Sequence, residues 1–108
     1  MITQDDAEKA LDYLKATDSD AARARSLMNY LDDTKKTILA SEFMRVDKGS
    51  AAEKQKIAEG SQIYIEHLGK LREATLDYET LRNQRKSAEL QIEMWRSINS
   101  NMKKGNIA

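Results

Sequence analysis

Cysteine and proline are both missing from this 108-residue chain, and glycine occurs only four times. Without cysteine there are no disulfide staples, no thiolate nucleophile and no cysteine-ligated zinc. Without proline, and with glycine so sparse, the composition favours long uninterrupted helices over a strand-and-turn fold. There is one histidine, His67, so a multi-histidine metal site is out of reach. Aromatics are few as well: Tyr13, Tyr30, Phe43, Tyr64, Tyr78 and Trp95. Any core must therefore be a narrow seam of Leu, Ile, Met and Ala. No apolar run approaches the roughly 18–20 residues of a membrane span, and a basic-then-apolar signal sequence is lacking. The expected location is the cytoplasm, with no membrane partner.

What the chain does have is charge, 33 % of its residues, balanced to a formal net of zero. A zero net charge gives no global argument for nucleic acid. The distribution is uneven, however. The first twenty positions carry Asp5, Asp6, Glu8, Asp12, Asp18 and Asp20 against Lys9 and Lys15. Positions 82–104 carry Arg82, Arg85, Lys86, Arg96, Lys103 and Lys104 against Glu89 and Glu93. Each end reads either as a solvated helical face or, for the basic end, as a surface for an acidic partner or a phosphate backbone.

The stretch from Ser61 to about Met102 organises the rest. Tyr64, Leu68, Leu71, Thr75, Tyr78, Leu81, Ala88, Ile92, Trp95 and Met102 recur at steps that stripe one side of a helix. About forty residues at roughly 1.5 Å each make a rod of about 60 Å, too long to be buried by so small a chain. The expectation is one domain over 1–108, an all-α, elongated, coiled-coil-like antiparallel helical hairpin that forms a homo-oligomer along its long helices. Leu68, Leu71, Tyr78, Leu81, Ala88, Ile92 and Trp95 are the candidate oligomer or partner interface.

In chain order, Thr3 is an N-cap candidate, with Asp5 and Asp6 suited to the positive end of a helix dipole. A short first helix is expected over about 4–15. Thr17, Asp18 and Ser19 offer fresh caps and a break. A second helix follows over about 20–46, with a seam of Ala24, Leu27, Leu31, Thr34, Ile38 and Ser41, and an apolar face widened by Met28, Leu39, Phe43, Met44 and Val46. Gly49 is a left-handed C-cap candidate. Ser50 and Glu53 form a capping box for a corner helix over about 51–59. Gly60 ends it, and Ser61 caps a long helix over about 62–102, with Gly105 as a stop. On this reading the acidic first helix lies near the basic end of the long one. The long seam slips at Tyr78–Leu81, where two steps of three follow one another. It also places Arg85 on the seam, either snorkelling to solvent or paired with a carboxylate, Glu89 being one candidate.

No catalytic constellation, cofactor site or metal site is nominated. His67 has no ligand set around it. The carboxylate pairs Glu73/Asp77 and Glu89/Glu93 have basic neighbours at helical spacing and read as salt-bridge lacing. The glycines are isolated, so no phosphate loop exists. Arg82, Arg85, Lys86, Arg96, Lys103 and Lys104 around Trp95 form a possible nucleic-acid face, with the indole available for stacking. Against this, Trp95 falls on the apolar stripe with Ile92 and Ile98. Gly69 marks either a close backbone approach or an exposed, tolerated glycine.

The second half of the chain resembles small helical proteins of tailed bacteriophages and prophages. The likeness lies in the Gly-Ser-x-Ala-Glu turn at Gly49–Glu53, in Tyr-x-x-His-Leu at Tyr64–Leu68, and in Glu-x-Trp-Arg-Ser at Glu93–Ser97. Leu71-Arg72, Asp77-Tyr78-Glu79, Leu81-Arg82, Arg85 and Ala88-Glu89 extend it. The resemblance implies an accessory role in the host cytoplasm near DNA transactions, and brings no functional residues with it. The expected function is a non-enzymatic adaptor or inhibitor acting on a phage or host protein. The alternative is an accessory nucleic-acid binder of a recombination or replication module.

Overall fold

The computed structural model describes residues 1–107, with side chains described as far as residue 102. The chain is all-α: α1 spans Gln4–Met44, α2 Ala51–Glu59 and α3 Gln62–Ile107. This is the helical hairpin that the periodicity predicts, with a corner helix and a long C-terminal helix. No helix among the described residues is long and apolar enough to cross a membrane.

Capping chemistry sets the helix starts. The Thr3 hydroxyl accepts the Asp6 N–H at 3.2 Å, and the Asp6 carboxylate accepts the Thr3 N–H at 3.0 Å. Two orphan donors of the first turn are thus satisfied reciprocally. Ser50 does the same for α2, accepting the Glu53 N–H at 3.2 Å. Ser61 caps α3 through the Tyr64 N–H at 3.3 Å. All three starts were legible as Ser or Thr ahead of a periodic segment.

The expected break at Thr17–Ser19 does not occur, and the two helices expected over about 4–15 and 20–46 are one helix. Residues of the capping type end a helix only by competing for its backbone groups. Here the Thr17 hydroxyl donates to the Tyr13 carbonyl at 2.7 Å, inside the helix, while Ser19 and Asp20 point to solvent. The buried stripe passes through Leu14, Thr17, Ala21 and Ala24 without a change of phase, so continuity costs nothing.

α1 closes with two tight bonds of 3.2 Å, Arg45 N–H to Glu42 O and Val46 N–H to Phe43 O. Gly49, expected as its cap, lies instead in the connection to α2 with φ +119°. Helix α3 continues past Gly105, the expected stop, to Ile107.

Packing groups the residues into two units, Met1–Ala22 with Glu79–Ala108, and Arg23–Tyr78. In the first unit α1 and α3 run antiparallel: Ala10 shares a groove with Ala88, and further along α1 Tyr13 bonds Gln84 at 3.1 Å. Its buried residues are Ala7, Ala10 and Ala88. The second unit buries Leu31, Ala74, the Glu42 side chain and Ala58, the last only 1 % exposed and the sole buried residue of α2. Alanine at these positions allows helices to approach at the close end of the usual 8–10 Å range.

The stripe that faces inward on α3 differs from the expected one. It runs Tyr64, His67, Leu71, Ala74, Tyr78, Leu81, Arg85, Ala88, Ile92 and Trp95. Ala74 is buried and lies deeper than Thr75, which is half-buried, and His67 takes the place expected for Leu68. Steps of three and four then alternate without interruption, and the slip inferred at Tyr78–Leu81 disappears. On α1, Met28 is half-buried as the widened apolar face predicts, while Leu27 is exposed, and Glu42 is buried where Ser41 was expected. On α3 the difference has one source: apolar periodicity favours a larger apolar or β-branched residue over the small or polar one beside it.

Glycine substitutions separate two backbone environments. A Cβ at Gly69 meets nothing within 4 Å, so Gly69→Ala is expected to raise the melting temperature, stabilising by about 0.5–1 kcal/mol. A Cβ at Gly49 falls 3.1 Å from a Glu53 carboxylate oxygen on a backbone with positive φ. Gly49→Ala is expected to destabilise by about 1–3 kcal/mol, and thermal melts of the two variants check both signs.

The Asp6 carboxyl is held below its ordinary 3.8 by the Thr3 backbone N–H and then the Thr3 hydroxyl. A depressed folded value means that the cap stabilises above pH 3.8 and fades as pH falls through the lower folded value. Amide protection at positions 6 and 7, measured relative to intrinsic exchange rates, is expected to fall in that acid window, and to lose this dependence in Asp6→Ala.

Candidate functional site

Most of the residues expected to face a partner lie along the inward stripe. Ala88 is buried, and Leu71, Tyr78, Leu81, Ile92 and Trp95 are half-buried. Leu68 stands apart, 37 % exposed on the flank beside His67. The half-buried members keep one edge in solvent because a seam between two helices covers only one side of each ring or branched chain.

His67 is an interface residue. Its Nε2 lies 2.8 Å from the Leu31 carbonyl and 3.4 Å from the Thr34 hydroxyl. With the proton on Nε2 the ring donates to that carbonyl, while Thr34 donates to the Tyr30 carbonyl at 2.7 Å. The imidazole thus ties α3 to a backbone group of α1 within the second unit.

The corresponding tie in the first unit is Arg85. Its Nη1 donates to the Leu14 carbonyl at 2.8 Å and to the Thr17 hydroxyl at 2.7 Å, and its Nη2 reaches Asp18 at 3.3 Å. Only 19 % of the side chain is exposed. Arg85 therefore pairs across the hairpin rather than with Glu89, which lies 4.0 Å from Lys86 instead. The acidic start of α1 and the basic part of α3 do meet, as their charges suggest. The planar fork presents two nitrogens in fixed geometry to a carbonyl, a hydroxyl and a carboxylate, where a lysine would bring all its donors from a single nitrogen.

This contact removes Arg85 from the possible nucleic-acid face. Arg82, Lys86 and Arg96 are exposed, with Arg82 3.3 Å from Glu79. Trp95 sits half-buried on the seam, not among them. Lys103 and Lys104 lie outside the residues whose side chains are described. What remains is three cations interrupted by carboxylates.

A shallow groove of about 450 Å³ is lined by Lys9, Ala10, Tyr13, Gln84, Ser87, Ala88 and Gln91. It exists because Ala10 and Ala88 leave room that larger seam residues would fill. Its chemistry is poor in reactive groups. Lys9 bonds Asp5 at 2.9 Å, which pushes its pKa up and keeps the ammonium charged. Tyr13 is occupied with Gln84. Among the described residues no group of three or more His, Asp or Glu could hold a metal ion.

The fold and these surfaces define an all-α helical hairpin whose distinctive contacts join its own helices. No protein family, no curated protein and no solved structure matches the chain. Sequence reasoning had marked Arg85 and the charge match, but missed Thr17, whose value as an acceptor for Arg85 shows only across the hairpin.

Arg85→Ala is expected to destabilise by about 1–3 kcal/mol, leaving the half-buried pocket around Leu14 and Thr17 unfilled. Asp18→Asn should change stability by less than about 1 kcal/mol, because the Asp18 side chain is 82 % exposed and well screened. Urea melts of both variants test whether the backbone and hydroxyl bonds, rather than the ion pair, carry the contact.

Proposed function

We propose that this chain is a non-enzymatic interaction protein, an oligomeric helical adaptor or inhibitor of phage or prophage origin acting on a phage or host protein in the host cytoplasm. One observation carries the reading. Among the described residues the buried set is mostly alanine, with Leu31 its only large apolar member and Glu42 its polar one. Meanwhile Leu11, Leu27, Tyr30, Ile65, Leu76 and Leu90 are exposed, each by more than 40 %. Apolar side-chain surface that the hairpin does not bury is therefore available to other proteins. The phage origin rests on the turn and motifs between Gly49 and Ser97 alone.

The second reading, a nucleic-acid accessory, rests on exposed Arg82, Lys86 and Arg96. Glu79 and Glu89 beside them weaken any phosphate contact, so it ranks below the first.

Affinity capture of the tagged chain from phage-infected cells, with and without nuclease, tests the proposal. A defined protein partner that survives nuclease is the expected result. Loss of all partners on nuclease treatment, with nucleic acid co-purifying and an Arg82/Lys86/Arg96-to-Ala triple variant binding none, would overturn it in favour of the basic face.

A further inference from the structure

Away from the inward seam, α3 carries a second series of three–four steps. Thr80, Asn83, Ser87, Leu90, Met94 and Ser97 follow one another there, all exposed and none charged, with Ser87 also at the rim of the groove that α3 shares with α1. In a chain with charge on a third of its positions, this is the kind of row that pairs with another helix. Leu90 and Met94 are 47 % and 54 % exposed and stand among small polar residues.

We propose that two copies of this chain pair antiparallel along this face of α3, about a two-fold axis between Ser87 and Leu90. The proposal rests on the reading of the chain as an oligomeric interaction protein and names the surface that makes the oligomer. In this register each Leu90 meets Ser87 of the second copy. Each Met94 meets Asn83, and each Ser97 meets Thr80. Leu90 and Met94 fall opposite the shorter Ser87 and Asn83, and the Ser97–Thr80 layer is small on both sides, which lets the helices close together. The same surface serves both copies, as a two-fold interface requires.

The flanking charges select this register. On one edge of the row stand Glu79, Lys86 and Glu93, on the other Gln84 and Gln91. With the axis between Ser87 and Leu90, Lys86 of each copy lies beside Glu93 of the other, and Gln84 beside Gln91. Sliding to the next register in one direction sets Glu93 against Glu93. Sliding in the other direction sets Lys86 against Lys86. Parallel pairing sets these charges against glutamines and gains no ion pair. The side chain of Lys86 is 66 % exposed and only 4.0 Å from its nearest carboxylate at Glu89, so it is free to turn to a second copy.

Sedimentation equilibrium of the full chain, up to hundreds of micromolar, tests the pairing, with circular dichroism confirming that each variant stays helical. The wild type is expected to dimerise reversibly, and Leu90→Glu to weaken the dimer more than tenfold. Lys86→Glu and Glu93→Lys each place like charges together twice, and should weaken it roughly 3- to 30-fold. The double variant restores opposite charges, and its dissociation constant should return to within about threefold of wild type. A wild type that stays monomeric would overturn the proposal. So would a dimer indifferent to Leu90→Glu, which places the contact elsewhere, or a charge swap without rescue, which rejects the register. Affinity capture of the same partner by a monomeric chain would leave the adaptor reading standing while this one fails.

Discussion

The narrowness of the seam constrains everything else in this protein. Two long helices with charge on a third of the residues have only a thin inward stripe to bury, and the chain fills the closest points with alanine. Ala7, Ala10 and Ala88 do so in one unit, Ala58 and Ala74 in the other. Alanine brings backbones near one another but removes little apolar area from water, at roughly 25 cal/mol per Å². No large side chain is fully buried among the described residues. The fold must then draw on helix propensity, on caps, and on a few specific polar ties.

Those ties share a design. Arg85 and His67 both reach from α3 to a carbonyl of α1, at 2.8 Å in each case, and both engage a threonine hydroxyl as well. Each threonine in turn back-bonds to the carbonyl four residues earlier at 2.7 Å. A polar side chain that bonds a specific carbonyl fixes the local register of the helices, whereas an alanine seam tolerates sliding. Satisfied polar groups in a seam commonly set register in this way. The ties are also indifferent to the screening that weakens surface ion pairs such as Lys9–Asp5, because their key acceptors are neutral.

A thin seam also leaves each helix with more than one usable face. The inward stripe of α3 is taken by its own hairpin, yet the residues expected to bind a partner were drawn from that stripe. An apolar periodicity marks a buried face without saying what buries it. The uncharged row from Thr80 to Ser97 carries a weaker hydrophobic signal than the inward stripe. Its case rests on complementarity of size and charge, Leu90 with Ser87 and Lys86 with Glu93, which single-helix periodicity does not weigh.

The sequence by itself determined the all-α class, the corner helix over Ala51–Glu59, and the caps at Thr3, Ser50 and Ser61. These follow from local chemistry: a missing proline, a side-chain oxygen three residues ahead of an N–H, a period near 3.6. It also determined that Arg85 would lie on a seam. Only the tertiary structure decided that α1 runs unbroken through Thr17–Ser19, because Thr17 satisfies its hydroxyl against Tyr13 and Arg85 at once. Packing alone settles that Ala74 lies deeper than half-buried Thr75, and that His67, not Leu68, faces inward. A small residue wins a place where backbones approach, and a histidine wins one where a carbonyl awaits it. Neither the approach nor the carbonyl is visible from one helix alone.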